Sequence, residues 1–247
     1  MADLTSSEKT SGVFVVISTT VGFAGMLFLL SWLAHQQETR TPLFWVCLVS
    51  TLGLSMLPPI IAGLIGLGVG FLYGLEAALL ASYDLSKVFH GVAVFIDLTW
   101  SLPNTLFGFV VGNPIYLIAG SPSRDKSRAN TWISFDGSFG NVYQTLGTLN
   151  LGGAGKHEPV HLLQARILGP AYLPLQVASY VMNSAIQLVG MILFGWWAYL
   201  LKLRDSAWFR PSSDSAVRTK TGKSGPGDFF GWIYRYTLME IWAYATQ

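Results

Sequence analysis

The densest chemistry in this chain is the stretch His157-Glu158-Pro159-Val160-His161, an H-E-x-x-H pattern that uses two of the four histidines present. On a helix, residues four apart lie one turn apart on one face, so both imidazoles can bind the same metal ion. The carboxylate between them then reaches a water held by that ion. This is the chemistry of a zinc-dependent hydrolase, with Glu158 as general base and the activated water attacking a peptide bond. Catalytic zinc takes three protein ligands, so a third must come from elsewhere. The candidates are Glu240, Asp136, Asp97, His90 and Asp228, and Glu240 is favoured because it lies downstream in a helix-like segment. Gln164 is placed to hold a ligand histidine from behind. Arg166, Tyr234 and Tyr236 are candidate donors to an oxyanion.

These residues need a helix that starts at the motif. Proline is tolerated in the first turn of a helix, where its missing N–H has no partner to lose. The glycine run at 152–155 lets the chain turn and puts the helix start at Lys156 or His157, with Pro159 in that turn. Gly169-Pro170 and Pro174 are expected to stop it. Upstream, residues 131–151 are the only β-like part of the chain, and Asp136-Gly137 between β-formers predicts a hairpin turn. A small hairpin or three-stranded edge sheet is expected, and zinc peptidases often bind substrate along such an edge strand.

The arrangement resembles the gluzincin class of zinc metallopeptidases, in which HExxH is followed by a glutamate ligand on a later helix. The longer segment His157 to Pro170, HEPVHLLQARILGP, is similar to stretches of bacterial membrane zinc-peptidase-like proteins. In these an HExxHxxQ helix ends at Gly-Pro before an apolar hairpin, and a late Glu-x-x-Ala element follows. Glu240-Ile241-Trp242-Ala243 is the counterpart here. The resemblance covers residues 132–247 at most. It implies a zinc ion on His157, His161 and Glu240, and peptide-bond hydrolysis.

Composition sets the surroundings. Hydrophobic residues make up 51% and charged residues 11%, against roughly 25% charged in a soluble domain, and mean hydropathy is +0.46. The chain reads as a mainly α, polytopic integral membrane protein with four to six hydrophobic helical segments and a small β-hairpin before the HExxH helix. The lipid bilayer is its first partner, with other membrane subunits or a peptide substrate beyond it. A net charge of +2, thinly spread, excludes a nucleic-acid partner. Cys47 is the single cysteine, so no intrachain disulfide forms.

Membrane segments are expected at 12–34, 43–57 and 59–82, with an irregular or re-entrant segment at 88–118 broken by Pro103 and Pro114. The Pro58-Pro59 pair divides the second from the third. Gly63, Gly66, Gly68, Gly70 and Gly74 form a packing face. Glu76 must face protein or water. His35 reads as an interface residue, and His90 with Asp97 as interface hydrogen bonding or a second metal or proton site. Residues 121–171 hold a polar loop, the hairpin and the motif helix. Residues 172–202 form a membrane hairpin or span, 203–227 a basic loop, and 228–247 an amphipathic C-terminal helix.

Both basic loops fall on the cytoplasmic side by the positive-inside rule, which places the HExxH site at the cytoplasmic face of a bacterial inner membrane. His157 and Glu240 meet only if 172–202 returns to the side it left. Thr219 to Gly225 lacks the glycine a phosphate loop needs at position 217, where valine stands. The alternative function is a non-catalytic accessory subunit of a larger membrane complex, with HEPVH structural and His35 or His90 on a cofactor.

Overall fold

The computed structural model describes residues 4–137, 144–152, 157–194 and 237–246. The chain divides into two compact units, Met1–Leu173 and Pro174–Gln247.

In the first unit, helix α1 (Ser6–His35) opens on a capping box: Thr5 accepts from the Glu8 amide, and Glu8 accepts from the Thr5 amide. It packs antiparallel on α3 (Pro59–Leu79), after a short α2 (Pro42–Ser50) and a 3-10 turn at Leu54–Met56. The glycine face of α3 explains the closeness of the pair. A Cβ on Gly66, Gly70 or Gly74 would lie within 2.6 Å of Phe23 O, Thr19 O or Thr19 Oγ1. Gly63 belongs to the same face, against Phe28, whereas a Cβ on Gly68 would meet nothing. Four of the five expected glycines therefore pack. Glu76 faces protein, accepting a hydrogen bond from Asn113 Nδ2 at 2.7 Å.

After α3 comes α4 (Val88–Leu98), then a continuous helical run from Leu102 to Ala119. That run comprises α5 (Leu102–Phe107), a π turn (Gly108–Gly112) and α6 (Asn113–Ala119). The wide turn directly precedes Pro114, which has no N–H to give a regular ladder. The irregularity expected between 88 and 118 is thus a corner at residues 99–101 and one π turn. Among the described residues, three helices are long and apolar enough to cross a membrane: Ser6–His35, Pro59–Leu79 and Leu102–Ala119. The segment 43–57 is not among them, because α2 has only nine residues.

A four-stranded sheet follows, in the order β1-β2-β4-β3. It consists of β1 (Gly120–Ser123), β2 (Ile133–Gly137), β3 (Gln144–Leu146) and β4 (Leu149–Leu151), with a four-residue helix α7 (Arg124–Ser127) after β1. The expected hairpin exists, but not at Asp136-Gly137. Those two residues end β2 and pair with Ser121 and Gly120 of β1, a strand that the sequence reading gave to a polar loop. The tight turn is Gly147-Thr148, between β3 and β4. Gly147 has φ +58, and a Cβ there would also strike Asn104 O at 2.0 Å, so glycine is required twice over. Ile133, Phe135, Leu149 and Leu151 are fully buried with Leu102, Leu106 and Tyr116, seating the sheet on the α5–α6 run.

Helix α8 (His157–Leu168) closes this unit and continues through a 3-10 turn, Gly169–Ala171. Gly169, at φ +53, supplies the left-handed residue that ends a helix. Pro174 does not stop α8. It lies in the first turn of α9 (Tyr172–Phe194).

The second unit holds most of α9 and a short α10 (Leu238–Ala245). α9 is one unbroken helix through Asn183 and Ser184, where the hairpin alternative would have turned. The chain is nevertheless back beside α9 at Leu238, whose N–H donates to Ser179 Oγ at 2.6 Å. The basic loop at 203–227 lies outside the described residues, as do residues 228–236 of the C-terminal segment.

Candidate metal centre

α8 begins at His157, so Pro159 lies in its first turn and costs the helix no hydrogen bond. The two imidazoles then meet: Nε2 of His157 and Nε2 of His161 are 3.2 Å apart, with the rings 84° from coplanar. Two nitrogens bound to one tetrahedral zinc at the usual bond length lie about 3.3 Å apart. The pair is therefore spaced as a ready-made bite for one ion. His161 is buried, and its Nδ1 lies 2.9 Å from Gln164 Oε1. An amide oxygen there accepts the Nδ1 proton and leaves Nε2 as the lone-pair nitrogen a metal needs.

Glu240, the favoured third ligand, is buried on α10 in the second unit. The remaining third-ligand candidates are engaged elsewhere. Asp136 pairs with Lys126 at 2.6 Å, Asp97 with Arg166, and His90 Nδ1 accepts from the Asp84 amide at 2.9 Å. Asp228 lies outside the described residues. His35 donates from Nδ1 to Ser31 O at 2.8 Å, an ordinary helix-end contact.

Glu158 is buried, and its carboxylate is held from the sheet. Thr145 Oγ1 of β3 donates to Glu158 Oε2 at 2.9 Å, and Asn150 Nδ2 of β4 donates to Thr145 Oγ1 at 3.0 Å. Thr145 and Asn150 are cross-strand partners, so the hairpin register builds this relay. Neither residue was singled out in the sequence; the available signal was two polar residues paired across an otherwise apolar hairpin. β3 is an edge strand of the sheet.

Arg166 is not at the site. Its guanidinium makes a bidentate pair with Asp97 (Nε–Oδ1 2.8 Å, Nη2–Oδ2 2.6 Å) and donates to Thr131 Oγ1 and O. Tyr83 donates to the same carboxylate at 3.0 Å, and Tyr73 stands 2.9 Å from Tyr83. This buried network binds α8 to α3 and α4, so the oxyanion role considered for Arg166 is replaced by a structural one. Tyr234 and Tyr236 lie outside the described residues.

The last carbonyls of α8 are also satisfied by side chains the sequence reading placed in an amphipathic or re-entrant segment. Ser101 Oγ and Asn104 Nδ2 both donate to Ala165 O at 3.1 Å. Asn104 also reaches Gly169 O at 2.9 Å, and Trp100 Nε1 reaches Ile167 O at 3.1 Å. No protein-family model matches the chain, and neither a curated protein nor a solved structure matches it.

Proposed function

We propose that the chain is a polytopic integral membrane, zinc-dependent metallopeptidase-like protein, with His157, His161 and Glu240 as ligands and Glu158 as general base. The observation that carries this reading is the 3.2 Å approach of the two Nε2 atoms on one part-buried helical turn. Two imidazoles and a carboxylate are a donor set suited to zinc and leave a position open for chemistry.

A zinc ion held by His157, His161 and Glu240 would supply Lewis-acid polarisation of a carbonyl and a water acidified to about pKa 7. Glu158 takes a proton and returns it to the leaving amine, with Thr145 fixing the carboxylate orientation. Gln164 sets the His161 tautomer. Edge strand β3 offers a peptide the backbone groups for strand addition beside Glu158. Arg124, Lys126 and Arg128 favour the cytoplasmic side for the loop after β1, and the family resemblance implies a bacterial inner membrane.

The test is zinc content of the purified full chain by mass spectrometry. One equivalent is expected in wild type and in Glu158→Gln, and none in His161→Ala or Glu240→Ala. Wild type without zinc sinks the reading and leaves the accessory-subunit alternative. Zinc retained in Glu240→Ala removes Glu240 alone.

A further inference from the structure

The depth of α8 can be measured against α1. The Leu85 amide, just before α4, donates to Ser11 Oγ at 3.1 Å, at the start of the apolar run of α1. At the other end of α4, Leu98 packs on Gly22, where a Cβ would lie 3.2 Å from Leu98 Cδ1. Eleven residues of helix rise about 16 Å, which matches both the length of α4 and the separation of Ser11 and Gly22 along α1. α4 therefore runs beside α1 and ends near the middle of the apolar run 12–34.

The corner after α4 stays at that level, because the Ser101 amide folds back to Ile96 O at 2.8 Å. Ser101 Oγ then reaches Ala165 O, and a short serine side chain leaves little room for Ala165 to lie elsewhere. His161 is about 6 Å along the helix from Ala165. Half the hydrocarbon thickness of a bilayer is about 15 Å. Whatever the tilt of α8, His161 stays within the hydrocarbon layer that α1 crosses.

The outer face of α8 agrees. A helix lying at a water surface shows charge on its exposed side. Here Glu158 is buried and the Arg166 side chain is 10% exposed, paired to Asp97. The residues that do face outward are Leu163 at 53% and Ile167 at 52%, next to exposed Trp100. Ionisable groups survive at such depth when paired, as Arg166 is.

Resting on the membrane metallopeptidase reading, we infer that α8 works inside the bilayer with its Leu163–Ile167 face open to lipid. Its substrate is then a membrane-embedded peptide segment that arrives laterally. The notion of a site at the membrane surface gives way to one at the level of the middle of α1.

Leu163→Cys and Ile167→Cys, each with Cys47→Ser, are spin-labelled in the full chain in lipid nanodiscs, beside Val21→Cys and Lys126→Cys as references. Collision with oxygen and with a water-soluble nickel chelate is read by electron paramagnetic resonance. Both α8 labels are expected to match Val21 within twofold in their oxygen-to-nickel ratio. A ratio matching the Lys126 label overturns the proposal.

Zinc is measured on the same samples, so a chain without zinc whose labels are lipid-buried defeats only the metal reading. Where zinc is present, its release by 1,10-phenanthroline is expected to run at least tenfold faster than by a disulfonated, membrane-impermeant phenanthroline. Equal rates, or a faster impermeant chelator, overturn lateral access.

Discussion

Along α3, Gly66, Gly70 and Gly74 let the backbone of α1 approach to the limit of contact, and few polar atoms take part. Helix α8, in the same unit, is held by the opposite means. Trp100, Ser101 and Asn104 bind its last carbonyls, Asp97 and Thr131 grip Arg166, and Thr145 takes its first carboxylate. Helix pairs in lipid have no hydrophobic force between them and depend on close van der Waals packing. A helix that carries buried polar and charged groups is held by directional bonds instead.

Breaking the polar side should cost most. Asp97→Ala leaves Arg166 buried without its carboxylate, and uncompensated buried charge of this kind costs about 3–5 kcal/mol. The expected outcome is loss of the folded state at moderate denaturant, together with loss of zinc. The double change Asp97→Leu with Arg166→Met should recover most of the stability, since apolar replacement of a buried pair is often neutral. If it recovers stability but not zinc content, the pair serves to register α8 as well as to hold it.

The packing side breaks next. Gly70→Val drives a side chain into Thr19 O, where even a Cβ would stand at 2.3 Å. A loss of about 3 kcal/mol is expected, the upper end for overpacking. Gly68→Ala on the same helix meets nothing, and should be neutral or stabilising by up to about 1 kcal/mol. Unfolding of the two variants in one detergent measures the difference. Equal effects would mean that the glycine face is not what joins α1 to α3.

These two kinds of contact differed in how far they could be read from residues alone. Glycines at spacings of three and four in an apolar run state their own purpose, and four of five packed as expected. HExxH with Gln164 three residues on was legible because helix geometry alone brings those groups together. The Arg166–Asp97 pair was not, because its partners are 69 residues apart and only the corner after α4 brings them into contact. Asp136-Gly137 misled for a related reason: a local turn preference yielded to pairing with β1, which no pattern in Gly120 to Ser123 announced. Glu240 was favoured for its downstream position in a helix-like segment and for the Glu-x-x-Ala resemblance, neither of which fixes its distance from the two histidines.

Asn104→Ala sits between the two large effects and the small ones. It removes one amide group that donates to both Ala165 O and Gly169 O, so each loses one donor while Ser101 Oγ stays on Ala165 O and the Tyr172 N–H on Gly169 O. About 2 kcal/mol is expected. The loss should appear as faster hydrogen exchange in the last turn of α8, with exchange in the α1–α3 pair unchanged. Exchange that rises equally in both would show that the two regions unfold as one.

The smallest effect tests whether burial, rather than charge pairing itself, makes the Arg166–Asp97 contact strong. Lys126 and Asp136 make the same kind of contact at 2.6 Å, but their side chains are 44% and 52% exposed. The hydrogen bond from Lys126 holds the Asp136 carboxyl below its ordinary range. A depressed carboxylate stabilises the fold above its unfolded pKa of about 3.9 and loses that contribution as pH falls through the lower folded value. Lys126→Gln should therefore cost no more than about 0.5 kcal/mol at pH 7, and less in 1 M salt. Below the lowered folded pKa of Asp136 the variant and wild type should converge. A cost at pH 7 approaching that of Asp97→Ala, insensitive to salt, would place Lys126 and Asp136 out of reach of water. The sheet edge would then lie as deep as α8, and the contrast between the two ion pairs would collapse.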